Sequence, residues 1–148
     1  MKEAEFEKEF QLVAQTCGCV WVKIPDAILT AETRFRPERK RPADGVLIMQ
    51  CGVMLIELKI GSGPAKPHQL EWSGKCRKIN PLSYVFIRKR PAGKVKSGCY
   101  QIEISDGGKP RLIETFDNLK ALICQLQSVL IVNSNSTELQ ELLKRRYQ

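Results

Sequence analysis

Histidine is almost missing: His68 is the single imidazole among 148 residues. That scarcity excludes His-rich metal centres, and none of the six cysteines forms the CxxC pair of a zinc site. Cys17, Cys19, Cys51, Cys76, Cys99 and Cys124 are therefore expected as plain buried or half-buried thiols, the ordinary state of an intracellular cysteine. Aromatics are few, at 7%, and Trp21 and Trp72 each fall on an apolar stripe, which reads as core rather than as platforms for stacked bases. No apolar run approaches the length of a membrane span, and the stretch "MKEAEFEKEF" has no apolar signal core. The expectation is an intracellular, cytoplasmic chain without a membrane partner. Repeats and low-complexity tracts are absent too, so residues 1–148 are expected to form a single domain.

Acidic residues are scarce where basic ones are dense. The chain carries 24 Lys and Arg against 16 Asp and Glu, a net charge of +8. Residues 32–41, "ETRFRPERKR", hold five basic and two acidic side chains; residues 59–96 hold ten basic and one acidic, Glu71. Positive charge clustered in this way suits a polyanion, most simply a nucleic-acid backbone. A solvated basic face with no ligand is the competing reading.

Periodicity predicts an α/β chain. Phe6, Phe10, Val13, Ala14 and Cys17 recur at helical spacing over 2–17, and Gly18 stops the pattern. "CVWVKI" (19–24) is strand-like, and 25–42 is a polar, Pro-bounded connection. "ADGVLIMQ" and "GVMLIELKI" read as a hairpin turning near Cys51–Gly52. After the break "GSGPAKP", a helix is predicted over 67–79, then strands over 82–89 and 99–105. Helices are predicted over 115–127, capped by Thr115, and over 136–147, making 107–148 a helical extension. The order implies a mixed sheet flanked by helices.

The informative stretch is the hairpin, because it places Asp44, Glu57 and Lys59 among apolar residues. Alternation puts Val53, Leu55, Glu57 and Lys59 on one face of their strand and Met54, Ile56, Leu58 and Ile60 on the other. Folding about Cys51 brings Asp44 near Leu58, within reach of Glu57 or Lys59. Two carboxylates this close repel unless one is protonated or a cation lies between them. Paired oxygen ligands suit Mg²⁺ or Mn²⁺, and a neighbouring lysine can position a water or stabilise a phosphorane-like transition state. The bland reading is a Glu57–Lys59 salt bridge or polar residues on an edge strand. Glu38-Arg39-Lys40 repeats the tripeptide in a charged loop, where it has no strand to close.

Pro42-Ala43-Asp44, twelve further residues and then Glu57-Leu58-Lys59 resemble the PD-(D/E)XK nuclease superfamily, whose motif has Pro and Asp adjacent. "FEKEFQLVAQTCGCVWVKIP" resembles the first helix and strand of archaeal-type Holliday-junction resolvases. "KPHQLEWSGKCRKINPLSYVFIRK" resembles the helix and strand that follow the E-x-K there and in stand-alone VRR-NUC nucleases, where a glutamine, here Gln69, opens the helix. The resemblance covers roughly residues 5–90 and implies a restriction-endonuclease-like α-β-β-β-α-β core. It also implies a Mg²⁺- or Mn²⁺-dependent DNA endonuclease, most naturally a homodimeric resolvase of four-way (Holliday) junctions.

By that resemblance Asp44, Glu57 and the Leu58 carbonyl hold the metal and Glu7 joins them. Helical geometry alone also admits Glu3 or Glu9. Lys59 orients the attacking water, and Gln69 contacts water or phosphate; a Gln69 serving only the free backbone groups of its helix is the alternative. Arg34, Arg36, Arg39, Lys40, Arg41, Lys66, Lys75, Arg77 and Lys78 are the expected phosphate contacts. His68 is expected as a surface residue. A VRR-NUC-like flap or nicking nuclease and an inactive DNA-binding module on the same fold remain rivals.

Overall fold

The computed structural model describes residues 2–25, 40–50, 52–91 and 99–134, with backbone alone over 130–134. In chain order the elements are α1 (Glu3–Thr16), β1 (Val20–Lys23), β2 (Gly45–Met49), β3 (Gly52–Ile60), α2 (Pro67–Ile79), β4 (Tyr84–Lys89), β5 (Tyr100–Ile104), β6 (Arg111–Phe116) and α3 (Leu119–Ser134). The six strands form one sheet in the order β1-β2-β3-β4-β5-β6. Every neighbouring pair is antiparallel except β3–β4, which α2 joins as a parallel crossover. The expected element order α-β-β-β-α-β is thus present as α1 to β4, in a mixed sheet flanked by helices.

The principal core lies between the sheet and the α1/α3 layer. Phe6, Phe10 and Ala14 of α1 are fully buried against Leu47, Met54, Ile56 and Ile87 from the strands and Leu122 and Ile123 from α3. Each large side chain there contributes roughly 1.5–3 kcal/mol of burial. Trp21 stacks edge-on against Phe10, ring centroids 5.0 Å apart, as a core residue should. A smaller cluster on the other face joins Ala43, Tyr84 and Phe86 to Leu70, Trp72 and Cys76 of α2.

Gly45 shows how tightly β1 and β2 are fitted beside the future site. A Cβ there would meet the Trp21 ring at 2.5 Å and the Val22 carbonyl at 2.6 Å, so any side chain would displace the indole or the strand.

Two expectations change past residue 105. A helix over 115–127 is replaced by strand β6 and a helix that begins at Leu119. Thr115 sits inside β6, opposite Gln101, and Asn118 takes the capping role, accepting from the Ala121 N–H at 2.8 Å. The extension is also part of the core, because Leu119, Leu122, Ile123 and Leu126 are buried in it. Residues 136–147 lie outside the described residues, so the second predicted helix does too. No helix among the described residues is long and apolar enough to cross a membrane. Cysteines 17, 19, 76, 99 and 124 are free; Cys124 is exposed, contrary to the expectation of burial, and Cys51 lies outside the described residues.

Candidate active site

The antiparallel β2–β3 register places Gly45 opposite Ile56, and the next step outward sets Asp44 against Glu57. The sheet ladder still runs through Asp44, since the Ile24 N–H donates to its carbonyl at 2.9 Å. Residues directly opposite in such a pair share a face, so both carboxyl groups lie on the α2 side. The Asp44 side chain substitutes for a ladder partner: its Oδ2 accepts from the Leu58 N–H at 2.7 Å. Its Oδ1 accepts from Arg41 at 2.8 Å, and the same guanidinium donates to the Ile24 carbonyl at 3.0 Å.

Glu57 and Lys59, two residues apart on β3, point the same way and are each only 4% exposed. Their charged atoms are 3.6 Å apart. The Gln69 side-chain amide donates to Glu57 Oε1 at 2.5 Å, while its carbonyl accepts from the Lys66 N–H at 2.9 Å. Gln69 therefore serves a free backbone group at the start of α2, as one of its two expected roles had it, and also reaches Glu57, which neither role named. The Tyr84 hydroxyl donates to the Pro42 carbonyl at 2.5 Å and so fastens the chain just ahead of Asp44.

Electrostatically the pair is governed by burial, although each acid has one cation against it, Arg41 on Asp44 and Lys59 on Glu57. Burial first, and then the Asp44 charge, push the Glu57 carboxyl up to about 8, against the pull of Lys59 and Arg41. Burial raises Asp44 as well, despite the Leu58 N–H and the Arg41 guanidinium, and Glu3 and Glu7 add to the rise. Tyr84 is raised by burial, then by Glu57 and Asp44. His68, half-buried rather than on the surface, is lowered by burial and then by Lys40, Lys66, Lys59 and Arg41, which keeps it neutral at pH 7.

The first-helix acids divide. Glu7 pairs with Lys23 at 3.3 Å and accepts from the Trp21 indole at 3.4 Å. Glu9 is taken by Lys89 at 2.6 Å and by the Tyr100 hydroxyl. Among the described residues no group of three or more His, Cys, Asp or Glu side chains gathers closely enough to hold a metal ion. The close acid pair is therefore Asp44 and Glu57, with Glu7 near enough to be felt but held by other partners. Leu58 turns its N–H to Asp44 and buries its side chain in the opposite core.

Of the expected phosphate contacts, Lys66, Lys75 and Lys78 of α2 and its cap are exposed. Lys75 also pairs with Glu71 at 3.1 Å. Arg77 is bound inward instead, donating to Asp106 at 2.9 Å and to the Pro81 carbonyl at 2.5 Å. Arg41 is engaged by Asp44, Lys40 is half-buried, and Arg34, Arg36 and Arg39 lie outside the described residues.

A second ion pair escaped the sequence reading. Arg88 donates through Nε to both Glu103 oxygens, at 3.2 and 3.0 Å, and through Nη1 to the Gly61 and Gly63 carbonyls, each at 2.8 Å. Arg88 lies beside Lys59 in the parallel register and on the same face. Its guanidinium fixes the turn that leads from Lys59 to Gln69. The signal available was parity, since Arg88 shares its strand face with Tyr84 and Phe86, and Glu103 faces away from Ile102 and Ile104 toward that same side.

No family model matches the chain, and no curated protein matches its sequence.

Proposed function

We propose that the chain is a divalent-metal-dependent DNA endonuclease of the PD-(D/E)XK kind, with a branched, junction-like substrate. The observation that carries this reading is the buried pair Asp44 and Glu57 on one sheet face with Lys59 and Gln69 against Glu57. Two dehydrated carboxyls that repel each other across neighbouring strands fit a hard dication better than they fit each other. Asp44, Glu57 and the Leu58 carbonyl would hold Mg²⁺ or Mn²⁺, which would polarise a phosphodiester and lower the pKa of a water beside it. Glu7 would join by leaving Lys23. Lys59 orients the water for in-line attack and offsets charge developing on the phosphoryl oxygens. Gln69 fixes the Glu57 oxygen that faces α2. The motif spacing and the α-β-β-β-α-β order support the same reading.

Exposed Lys66, Lys75 and Lys78 would hold backbone phosphates, contacts that carry little base information and favour recognition of DNA shape. Cutting two strands symmetrically takes two copies. Val20, Ile48 and Val53 stand in register on one face of β1–β3 with Val22 beside them, each at least 41% exposed, and supply an apolar surface for pairing. Purified protein with labelled four-way, flapped and linear DNA, with and without Mg²⁺, tests the proposal. Metal-dependent cutting is expected, with preference for the branched forms. It should vanish in Asp44→Ala and Glu57→Ala while DNA binding persists. Absence of cutting by the wild type in Mg²⁺ and Mn²⁺ would overturn it.

One observation favours a second reading, a DNA-binding module without activity: Arg41 and Lys59 already stand as cations against the two acids. On that reading Asp44→Ala weakens folding and no dication binds.

A further inference from the structure

Away from the acid pair, three cysteines converge where α1 ends against α3. Cys17 closes α1, and Cys19 follows it because Gly18, at φ 75°, reverses the chain. The reversal is hydrogen-bonded, with the Gly18 N–H on the Gln15 carbonyl at 3.1 Å and the Cys19 N–H on the Ala14 carbonyl at 2.9 Å. This is the helix ending that favours glycine at its left-handed position. From α3, the Gln127 side-chain amide donates to the Cys17 carbonyl at 3.1 Å and to the Cys19 sulfur at 2.6 Å. Cys124 lies one turn before Gln127 on the same side of α3, which sets its thiol beside the end of α1 where Gln127 meets Cys17 and Cys19.

The three thiols differ in access. Cys124 is exposed, Cys17 is half-buried, and Cys19 is 3% exposed with its sulfur already held by Gln127. We propose that Cys17 and Cys124 form a reversible disulfide that ties α1 to α3 when the chain meets a low-molecular-weight disulfide. The exposed Cys124 thiolate attacks one sulfur of that disulfide, forms a mixed disulfide and expels one small thiolate. The Cys17 thiolate then attacks the Cys124 sulfur and the second small thiolate leaves. Two protein thiols give up two electrons and two protons, and the small disulfide is reduced to two thiols. Burial, and then the neighbouring Cys124, hold the Cys17 thiol above its ordinary value, so closure quickens as pH rises. Cys19 takes no part.

The test treats the full-length, metal-free protein with oxidised glutathione at pH 8, blocks remaining thiols by alkylation and maps the digest by mass spectrometry. A Cys17–Cys124 cross-linked peptide is expected. Tm should rise by several degrees, because the bond closes a long loop, and return on adding dithiothreitol. Cys19→Ser should keep the cross-link, and Cys124→Ser, a surface change, should leave Cys17 open to alkylation. A lasting mixed disulfide on Cys124 with Cys17 still alkylatable would overturn the proposal. So would a Cys17–Cys19 bond, any other pair, or a cross-link formed without a rise in Tm.

Discussion

A carboxyl group pushed up to about 8 makes the metal-free protein sensitive to pH, and the raised Asp44 beside it acts in the same direction. Glu57 is raised above its unfolded value, so its protonated form stabilises the fold. That contribution is complete below about pH 4.5, the ordinary glutamate range, and is lost as pH rises through about 8. Denaturant unfolding in EDTA should show stability falling by a few kcal/mol over that interval, on the order expected for such a shift. Glu57→Gln should flatten the slope, and a slope unchanged in the variant would refute the assignment. On the nuclease reading, Lys59→Ala should lower single-turnover cutting by about 10²–10³-fold and leave DNA affinity almost unaltered. Asp44, Glu57 and Lys59 were legible in the sequence because charge inside an apolar strand is costly without a purpose. The bond from Arg41 to Asp44 was not legible, because side-chain direction in a charged loop follows no period.

Elements hold these residues in place. The Arg88–Glu103 pair is buried, and Arg88 also fixes the turn between β3 and α2. Arg88→Met should cost about 3–5 kcal/mol by stranding the Glu103 charge, whereas Arg88→Met with Glu103→Leu should recover much of that loss. Urea denaturation of the two singles and the double settles it. Asn118→Ala should cost about 1 kcal/mol through weaker capping of α3, while Thr115→Ala should leave that helix start unaffected. The start was misplaced because Thr115 and Asn118 both carry cap chemistry, and only sheet pairing decides between them. Strand β6 itself left a weak trace: five of its six residues are exposed, so no buried face imposed alternation on its sequence. The hairpin and α2, each with one dry face, wrote their periods clearly.

At the scale of the whole molecule, on the nuclease reading, the net charge of +8 makes the proposed binding to nucleic acid salt-sensitive. Replacing Lys75 or Lys78 by Gln should lower the slope of log affinity against log salt by just under one for every phosphate no longer neutralised, roughly 0.9 on duplex DNA. A slope that stays fixed would remove α2 from the interface. On the same reading, the shape of the proposed substrate had no signature in the sequence, because phosphates present the same chemistry on every branch.

The sheet runs in unbroken sequence from β1 to β6. Each new strand can therefore join the open margin left by its predecessor as the ribosome delivers it, and none has to wedge between two that have already paired. The acids, the amine and the amide come from a single stretch, 44–69, so the nascent chain can assemble them before β5, β6 and α3 have been made.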